Sequence, residues 1–281
     1  MNVVVIGCNG MLGTDLVRAC RQEGFETQGF DLPTMDITNF KNVGELMPKA
    51  DWVVNCAAYT RVDDAEADRE QAFAVNAEGA YAVARVCAKN KLKLMHISTD
   101  YIFDGRLTRP YDERDRPNPL GVYGASKLAG EKAVRAEGGS FLVVRTQSLF
   151  GARGANFVKT IVQRLRQSDE PLRVVGDQVS SPTYTRHLAE ALVLLMKLGK
   201  EGIVHVAASG SCSWFEFAQA IAARVKPDAV VEALASADLA RPAPRPAYSV
   251  LDTKLYRSWT GQAMPHWQKG LEEYLAEEKF V

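Results

Sequence analysis

The first twenty residues, MNVVVIGCNGMLGTDLVRAC, limit the fold more than any other stretch. An apolar run of strand length ends at Gly7, glycines recur at Gly10 and Gly13, and an amphipathic stretch begins at once. A strand that feeds a helix in this way returns to its sheet by a right-handed crossover, and the next strand lies parallel to the first. The pattern repeats: apolar runs around Phe25 to Phe30 and at DWVVN, LKLMHIS and FLVVRT alternate with helical patterns near Asn39 to Met47, Asp68 to Asn90 and around Tyr123. The spacing predicts an α/β fold with a doubly wound parallel sheet, covered on both faces and binding its ligand at the carboxyl ends of its strands.

Beyond residue 150 the order is less regular. A helix is expected near Asn156 to Arg166, then a strand LRVV, a helix over His187 to Leu198, a strand GIVHV and a helix from Ser213 to Arg224. The division read from this is a dinucleotide-binding domain over 1–150 and a smaller substrate-binding lobe over 151–281, with a strand of the second half free to return to the first sheet. The segment ARPAPRPAYS interrupts a globular pattern without becoming low complexity and is read as an ordered irregular loop.

Charge excludes two classes of partner. Lys+Arg and Asp+Glu stand at 34 each, so no net field draws a nucleic-acid backbone or an anionic membrane. No apolar run approaches the ~18 residues of a membrane-spanning helix, and the N-terminus shows no basic leader. Cys8, Cys20, Cys56, Cys87 and Cys212 are odd in number and lack metal-type spacing, which suits reduced thiols and a cytoplasmic protein. His96, His205 and His266 show no ligand spacing either, and no metal is expected.

The glycines Gly7, Gly10 and Gly13, with Met11 and Leu12 between them, are spaced GxxGxxG. Such a turn lets a pyrophosphate approach backbone N–H groups at a helix N-terminus. Asp31 falls about 20 residues past the turn, at the end of the second strand, where a carboxylate accepts hydrogen bonds from an adenosine ribose. A carboxylate there repels a 2′-phosphate, which favours NAD(H) slightly over NADP(H). Asp36 and Ile37 are placed to meet the adenine, although an aspartate there equally suits a helix cap.

Tyr123 and Lys127 lie four residues apart on a predicted helix and so share one face. A free phenol titrates near ~10, and a neighbouring ammonium lowers that value by stabilising the phenolate. The pair alone is commonplace; its weight comes from the strand–turn–helix upstream.

GCNGMLG, NCAAYTRVDDAE, AVNAEGAYAVA, HISTDYIFDG and YGASK together resemble the extended short-chain dehydrogenase/reductases acting on nucleotide sugars, a family with a Rossmann-type sheet. STDYIFDG, RTQSLFG, GANFVKT and DQVSSPTYTRHLAEAL resemble, more narrowly, the dTDP-4-dehydrorhamnose reductase family, over nearly the whole chain. The resemblance implies reduction by NAD(P)H of the 4-keto group of dTDP-4-dehydro-L-rhamnose to dTDP-L-rhamnose, a deoxysugar donor for cell-surface polysaccharide. It implies a catalytic set of Thr99, Tyr123 and Lys127. Tyr123 protonates the keto oxygen, Lys127 holds the nicotinamide ribose and depresses the phenol pKa, and Thr99 orients the ketone. Ala57, Ala58, Tyr59 and Thr60 match the family's strand-end segment beside the cofactor. Asn76 matches a helical asparagine that steadies the active-site backbone.

By the same resemblance Asp100 and Ser148 contact the sugar, while Asn156, Phe157, Gln178 and Tyr184, with Pro182 and Thr183, face the nucleotide. Two positions depart from the family pattern: Ser148 stands where tryptophan is common and His187 where aspartate is usual. The nucleotide-sugar substrate is the expected partner, and a homodimer is compatible with this reading. Two alternatives stay open. A sugar-nucleotide dehydratase or epimerase is disfavoured because dehydratases carry Thr-Asp-Glu where this chain has Thr99, Asp100 and Tyr101. A non-catalytic regulatory subunit, resembling the methionine adenosyltransferase β subunit, is disfavoured by the intact Tyr123 and Lys127.

Overall fold

The computed structural model describes residues 1–281. Its main sheet holds β1 (Asn2–Ile6), β2 (Glu26–Phe30), β3 (Trp52–Asn55), β4 (Lys93–Thr99), β5 (Phe141–Thr146) and a sixth strand, Gly202–His205. All pairings are parallel, and from one edge the order runs Gly202–His205, β5, β4, β3, β1, β2. The chain moves outward from β1 to β2 and then crosses to β3 on the other side, so a topological switch point lies between β1 and β3. Val3, Val4, Val5 and Ile6 of β1 and all of β3 are buried, as strands covered on both faces require.

Two apolar layers close the sheet. On one face Leu12, Leu16 and Ala19 of helix α1 (Met11–Gln22) pack with Leu188, Leu192 and Leu195 of the helix Thr185–Lys197. The Thr185 hydroxyl donates to Asp15 Oδ2 at 2.5 Å and fixes the two helices together. On the other face Val43 of α2 (Phe40–Leu46) meets Val83 and Val86 of the helix Ala80–Asn90 and Val134 of the helix Val122–Glu137.

A separate core of 18 buried residues lies beyond the sheet and marks a second lobe. It is built from the helices Phe157–Gln167, Trp214–Val225 and Trp267–Glu277 with the small parallel ladder of Leu172–Val175 on Val231–Leu234. The helix Thr185–Lys197 and the strand Gly202–His205 come from the second half of the chain but pack in and on the main sheet.

One element differs from the expected continuous helix over 68–90. Residues Arg69–Phe73 and Ala80–Asn90 are α-helical, but Ala74–Gly79 between them forms a π-helix. Its wider turn brings the Asn76 carbonyl against the helix Val122–Glu137, where a Cβ on Gly130 would lie 2.1 Å from that oxygen. Only glycine fits at 130 without moving one of the two helices.

Candidate active site

Three consecutive strand ends build the site. The Gly7 turn follows β1, the segment Cys56 to Thr60 follows β3, and Ser98 and Thr99 end β4, with Ile6, Asn55 and His96 in register across the sheet.

At the first strand end Gly7 has φ +78°, and a Cβ there would lie 2.7 Å from the Ala57 amide nitrogen. A Cβ on Gly13 would lie 2.0 Å from the Gly7 carbonyl oxygen. Both glycines are therefore fixed by close backbone approach. Gly10 caps α1 in extended geometry with no side-chain cap, leaving the N–H groups of the first turn, at Met11, Leu12 and Gly13, without an acceptor from the cap residue's side chain. That N-terminus suits a phosphate. The Asp31 carboxylate accepts from the Asn9 amide at 2.8 Å and the Leu32 amide at 2.9 Å, which holds it beside the turn. Asp36 does not cap α2: its Oδ1 takes the Thr38 amide and hydroxyl at 2.9 and 2.8 Å, and Asn39 is the cap. Ile37 is buried against Gly79.

The middle strand end is clamped by Asn76. Its side chain accepts from the Tyr59 amide at 2.9 Å and donates to the Tyr59 carbonyl and the Ser126 hydroxyl, each at 3.0 Å. Ser126 in turn donates to the Tyr123 carbonyl at 2.8 Å. One buried amide thus joins the segment after β3 to the helix that carries Tyr123. The Tyr59 ring is buried with Ala65, Ala72 and Val122, its hydroxyl donates to Asp68 at 3.3 Å, and the Arg61 guanidinium lies 4.9 Å from its centroid. Ala57 and Ala58 are half-buried and Thr60 is exposed.

At the third strand end Thr99, Asp100 and Tyr123 come together. The Thr99 hydroxyl contacts Asp100 Oδ1 at 3.1 Å and accepts from the Tyr101 amide at 3.2 Å. The Tyr101 ring stands edge-on to the Tyr123 ring at 5.5 Å. Burial raises the Tyr123 pKa, and the charge of Asp100 raises it further, while the Thr99 hydroxyl pulls it down. Burial pushes Asp100 up to about 6.

Lys127 corrects one expectation. Its ammonium donates to the Ile97 carbonyl at 2.7 Å, burial lowers its pKa to about 8, and the nearby Glu131 carboxylate works against that shift. The Tyr123 phenol pKa is raised by burial, only the Thr99 hydroxyl opposes that rise, and the Lys127 ammonium does not act on it.

Beneath Lys127 lies a charge pair that the sequence reading missed. Arg145 Nη2 sits 2.8 Å from Glu131 Oε2 and its Nε 3.0 Å from Oε1, with Ser98 donating to the same carboxylate at 2.5 Å. Arg145 also meets His205 Nε2 at 3.3 Å and stands 5.4 Å from the Phe103 ring centroid. Glu131 continues the Tyr123 and Lys127 stripe by one further helical turn, a spacing visible in the sequence.

The lobe residues divide. Ser148 lies by the site with a left-handed φ of +47°, its hydroxyl 2.8 Å from that of Ser180. Gln178 is buried nearby in the segment that leads to Ser180. Asn156 and Tyr184 correct another expectation, because both are bound up inside the lobe. Asn156 caps its helix and donates to the Gly151 carbonyl and the Tyr274 hydroxyl at 2.9 and 3.1 Å. Tyr184 is 2% exposed, stacked on Phe150, with its hydroxyl on Glu277. Phe157 stacks on Phe217 and is half-buried, Thr183 is fully buried, and His187 pairs with Glu273 at 2.6 Å.

The Pro-rich segment closes the site from above. Arg245 forms a bidentate pair with Asp63 at 2.9 and 2.8 Å, the Ala243 amide donates to Asp63 at 3.2 Å, and Ser249 comes close enough to Asp100 to favour its charged form.

The family model described as the RmlD substrate binding domain matches residues 1–280. The chain belongs to this RmlD substrate-binding-domain family. Among its relatives, the spore coat polysaccharide biosynthesis protein SpsK of Bacillus subtilis is 39% identical, over 98% of this chain and 97% of that protein. A dTDP-4-dehydrorhamnose reductase of Mycobacterium tuberculosis is also 39% identical, over 98% of this chain and 92% of its own length. The crystal structure of dTDP-4-dehydrorhamnose reductase from Bacillus anthracis in complex with NADP superposes with a TM-score of 0.95 at 37% identity, covering 98% of this chain and 99% of that one. Within the RmlD family the six-stranded parallel sheet described above is thus a Rossmann-type reductase sheet.

Proposed function

We propose that this protein is an NAD(P)H-dependent oxidoreductase that reduces the 4-keto group of dTDP-4-dehydro-L-rhamnose to give dTDP-L-rhamnose. The carrying observation is the meeting of Thr99 and Tyr123 at the end of β4, with Lys127 on the same helix and the glycine turn two strands away. In an RmlD-family chain that constellation supports carbonyl reduction.

The glycine turn fits a dinucleotide, because its helix N-terminus is uncapped and its glycines admit close backbone approach. A bound reduced nicotinamide supplies hydride to the ketone carbon. The residues of this chain do the rest: Tyr123 gives its proton to the developing alkoxide, Thr99 steadies that oxygen by hydrogen bonding, and Lys127 would hold the cofactor ribose. Asn76 keeps the segment after β3 and the Tyr123 helix in one geometry. The soluble nucleotide sugar is the partner this site requires.

Dehydration is the weaker reading, since Tyr101 packs its ring on Tyr123 where elimination needs a second carboxylate. The deciding experiment incubates the protein with NADH or NADPH and dTDP-4-dehydro-L-rhamnose and follows absorbance of the reduced nicotinamide. Consumption with formation of dTDP-L-rhamnose is expected; no consumption of either cofactor would leave the regulatory-subunit reading in its place.

Cofactor choice turns on Asp31, whose carboxylate is held by two amides beside the turn. NADH is the preferred reductant on this reading, although the Bacillus anthracis relative holds NADP. Asp31→Ala removes the repulsion of a 2′-phosphate and is expected to raise the NADPH to NADH ratio of kcat/KM by about tenfold, equivalent to about 1.4 kcal/mol. An unchanged ratio would show that another group reads the ribose.

A further inference from the structure

Asp100 carries more than a substrate contact. Its side chain is 1% exposed, and Oδ2 has no hydrogen-bond partner of proper geometry, although the Ser249 hydroxyl lies close to the carboxyl. A fully buried carboxylate oxygen without a well-formed bond is a costly arrangement, and a carboxyl in such a place favours its neutral form. The other oxygen, Oδ1, lies 3.1 Å from the Thr99 hydroxyl, the group that also acts on the Tyr123 phenol.

A threonine hydroxyl has one hydrogen to donate and two lone pairs. The Tyr101 amide occupies one lone pair of Thr99. If Asp100 is ionised, it draws the single Thr99 hydrogen to itself, and Tyr123 receives none. If Asp100 is neutral, its own O–H fills the second lone pair, and the Thr99 hydrogen is left to point at Tyr123.

Resting on the reductase reading above, we propose that Asp100 acts as a neutral acid behind Thr99 and replaces the proton that Tyr123 gives up in each turnover. The ketone gains hydride, with its electron pair, from the cofactor. The Tyr123 O–H breaks as the alcohol O–H forms. The Thr99 proton then moves to the phenolate while the Asp100 proton moves to Thr99, and Asp100 is left as a carboxylate that takes a proton from water after product leaves. The titratable groups that face it are the phenols of Tyr101 and Tyr123, and Arg241 and Arg245 act on Tyr101. The hydroxyls of Ser249 and Thr99 favour its charged form.

Asp100→Asn separates proton supply from geometry, because an amide N–H still donates to Thr99 but yields no proton. The expected result is a fall in kcat on the order of 10²-fold, KM within about twofold, and loss of the limb along which wild-type kcat declines as pH rises. Ser249→Ala is expected to move that limb to higher pH, since a group that favours the carboxylate is gone.

Thermal melting gives a readout without substrate. The folded pKa of about 6 lies above the ordinary carboxyl value of 3.8, so the contribution of Asp100 to stability is complete below the lower value and is lost as pH rises through the higher one. Asp100→Asn should therefore gain stability relative to wild type across that window. An Asp100→Asn enzyme with wild-type kcat, or one that keeps the limb, would overturn the proposal while leaving the reductase reading standing. A wild-type protein that consumes no reduced cofactor would overturn both.

Discussion

Replacing Tyr123 by phenylalanine is expected to lower kcat by ~10²–10⁴, the range for loss of a general acid, with cofactor affinity unchanged. The ring remains to pack edge-on against Tyr101, and the Ser126 bond goes to the backbone carbonyl at 123, so the fold keeps its supports. The acid lost is a weak one, because burial holds its proton above the usual phenol range. It works by being neutral and correctly placed, and an alkoxide is basic enough to take the proton. Steady-state kinetics with the 4-keto substrate, beside a fluorescence titration of the cofactor, would check both halves of this expectation. Full activity in the variant would remove the phenol from the reaction.

The largest effect on stability is expected at Glu131. Its carboxylate and the Arg145 guanidinium are 2% and 3% exposed, respectively. Removing one partner leaves an uncompensated charge in the core, which costs about 3–5 kcal/mol. Glu131→Ala should show that loss in the urea midpoint, and a loss below about 1 kcal/mol would mean that water or His205 takes over the pairing. A second consequence separates this site from an ordinary core pair. Glu131 also favours the charged form of Lys127, whose pKa burial has already lowered to about 8. Without Glu131 the lysine deprotonates at lower pH, and the alkaline loss of activity is expected to begin earlier than in the parent protein.

The sheet was legible in the sequence because its buried strands are short apolar runs bounded by turns, and VVVI, WVVN and FLVV leave little room for another reading. The glycine turn and the Tyr123 and Lys127 pair could be singled out for a similar reason, since each depends on short spacing along the chain, whereas Thr99 was singled out only through the family resemblance. Three features were not. The π-turn at Ala74–Gly79 leaves the apolar periodicity of a helix almost unaltered, so a one-residue widening has no signature. The effect of burial on Tyr123 and Lys127 depends on how tightly neighbouring elements close over them, which spacing alone does not carry. Asn156 and Tyr184 matched a substrate-facing motif, but the lobe's aromatic core draws both inward, because a buried tyrosine hydroxyl needs a partner and Tyr184 finds Glu277.

The segment that reaches back from the second lobe has a bearing on how the molecule is made. Arg245, held by Asp63, and Ser249, beside Asp100, are separated in the chain from those partners by well over a hundred residues. A nascent chain that has emerged only as far as β5 still lacks the helix Thr185–Lys197 that covers one sheet face, the strand Gly202–His205 that pairs with β5, and the segment that reaches Asp63 and Asp100. Competence therefore arrives late in synthesis, when the proline-rich stretch leaves the ribosome and latches onto a platform already in place.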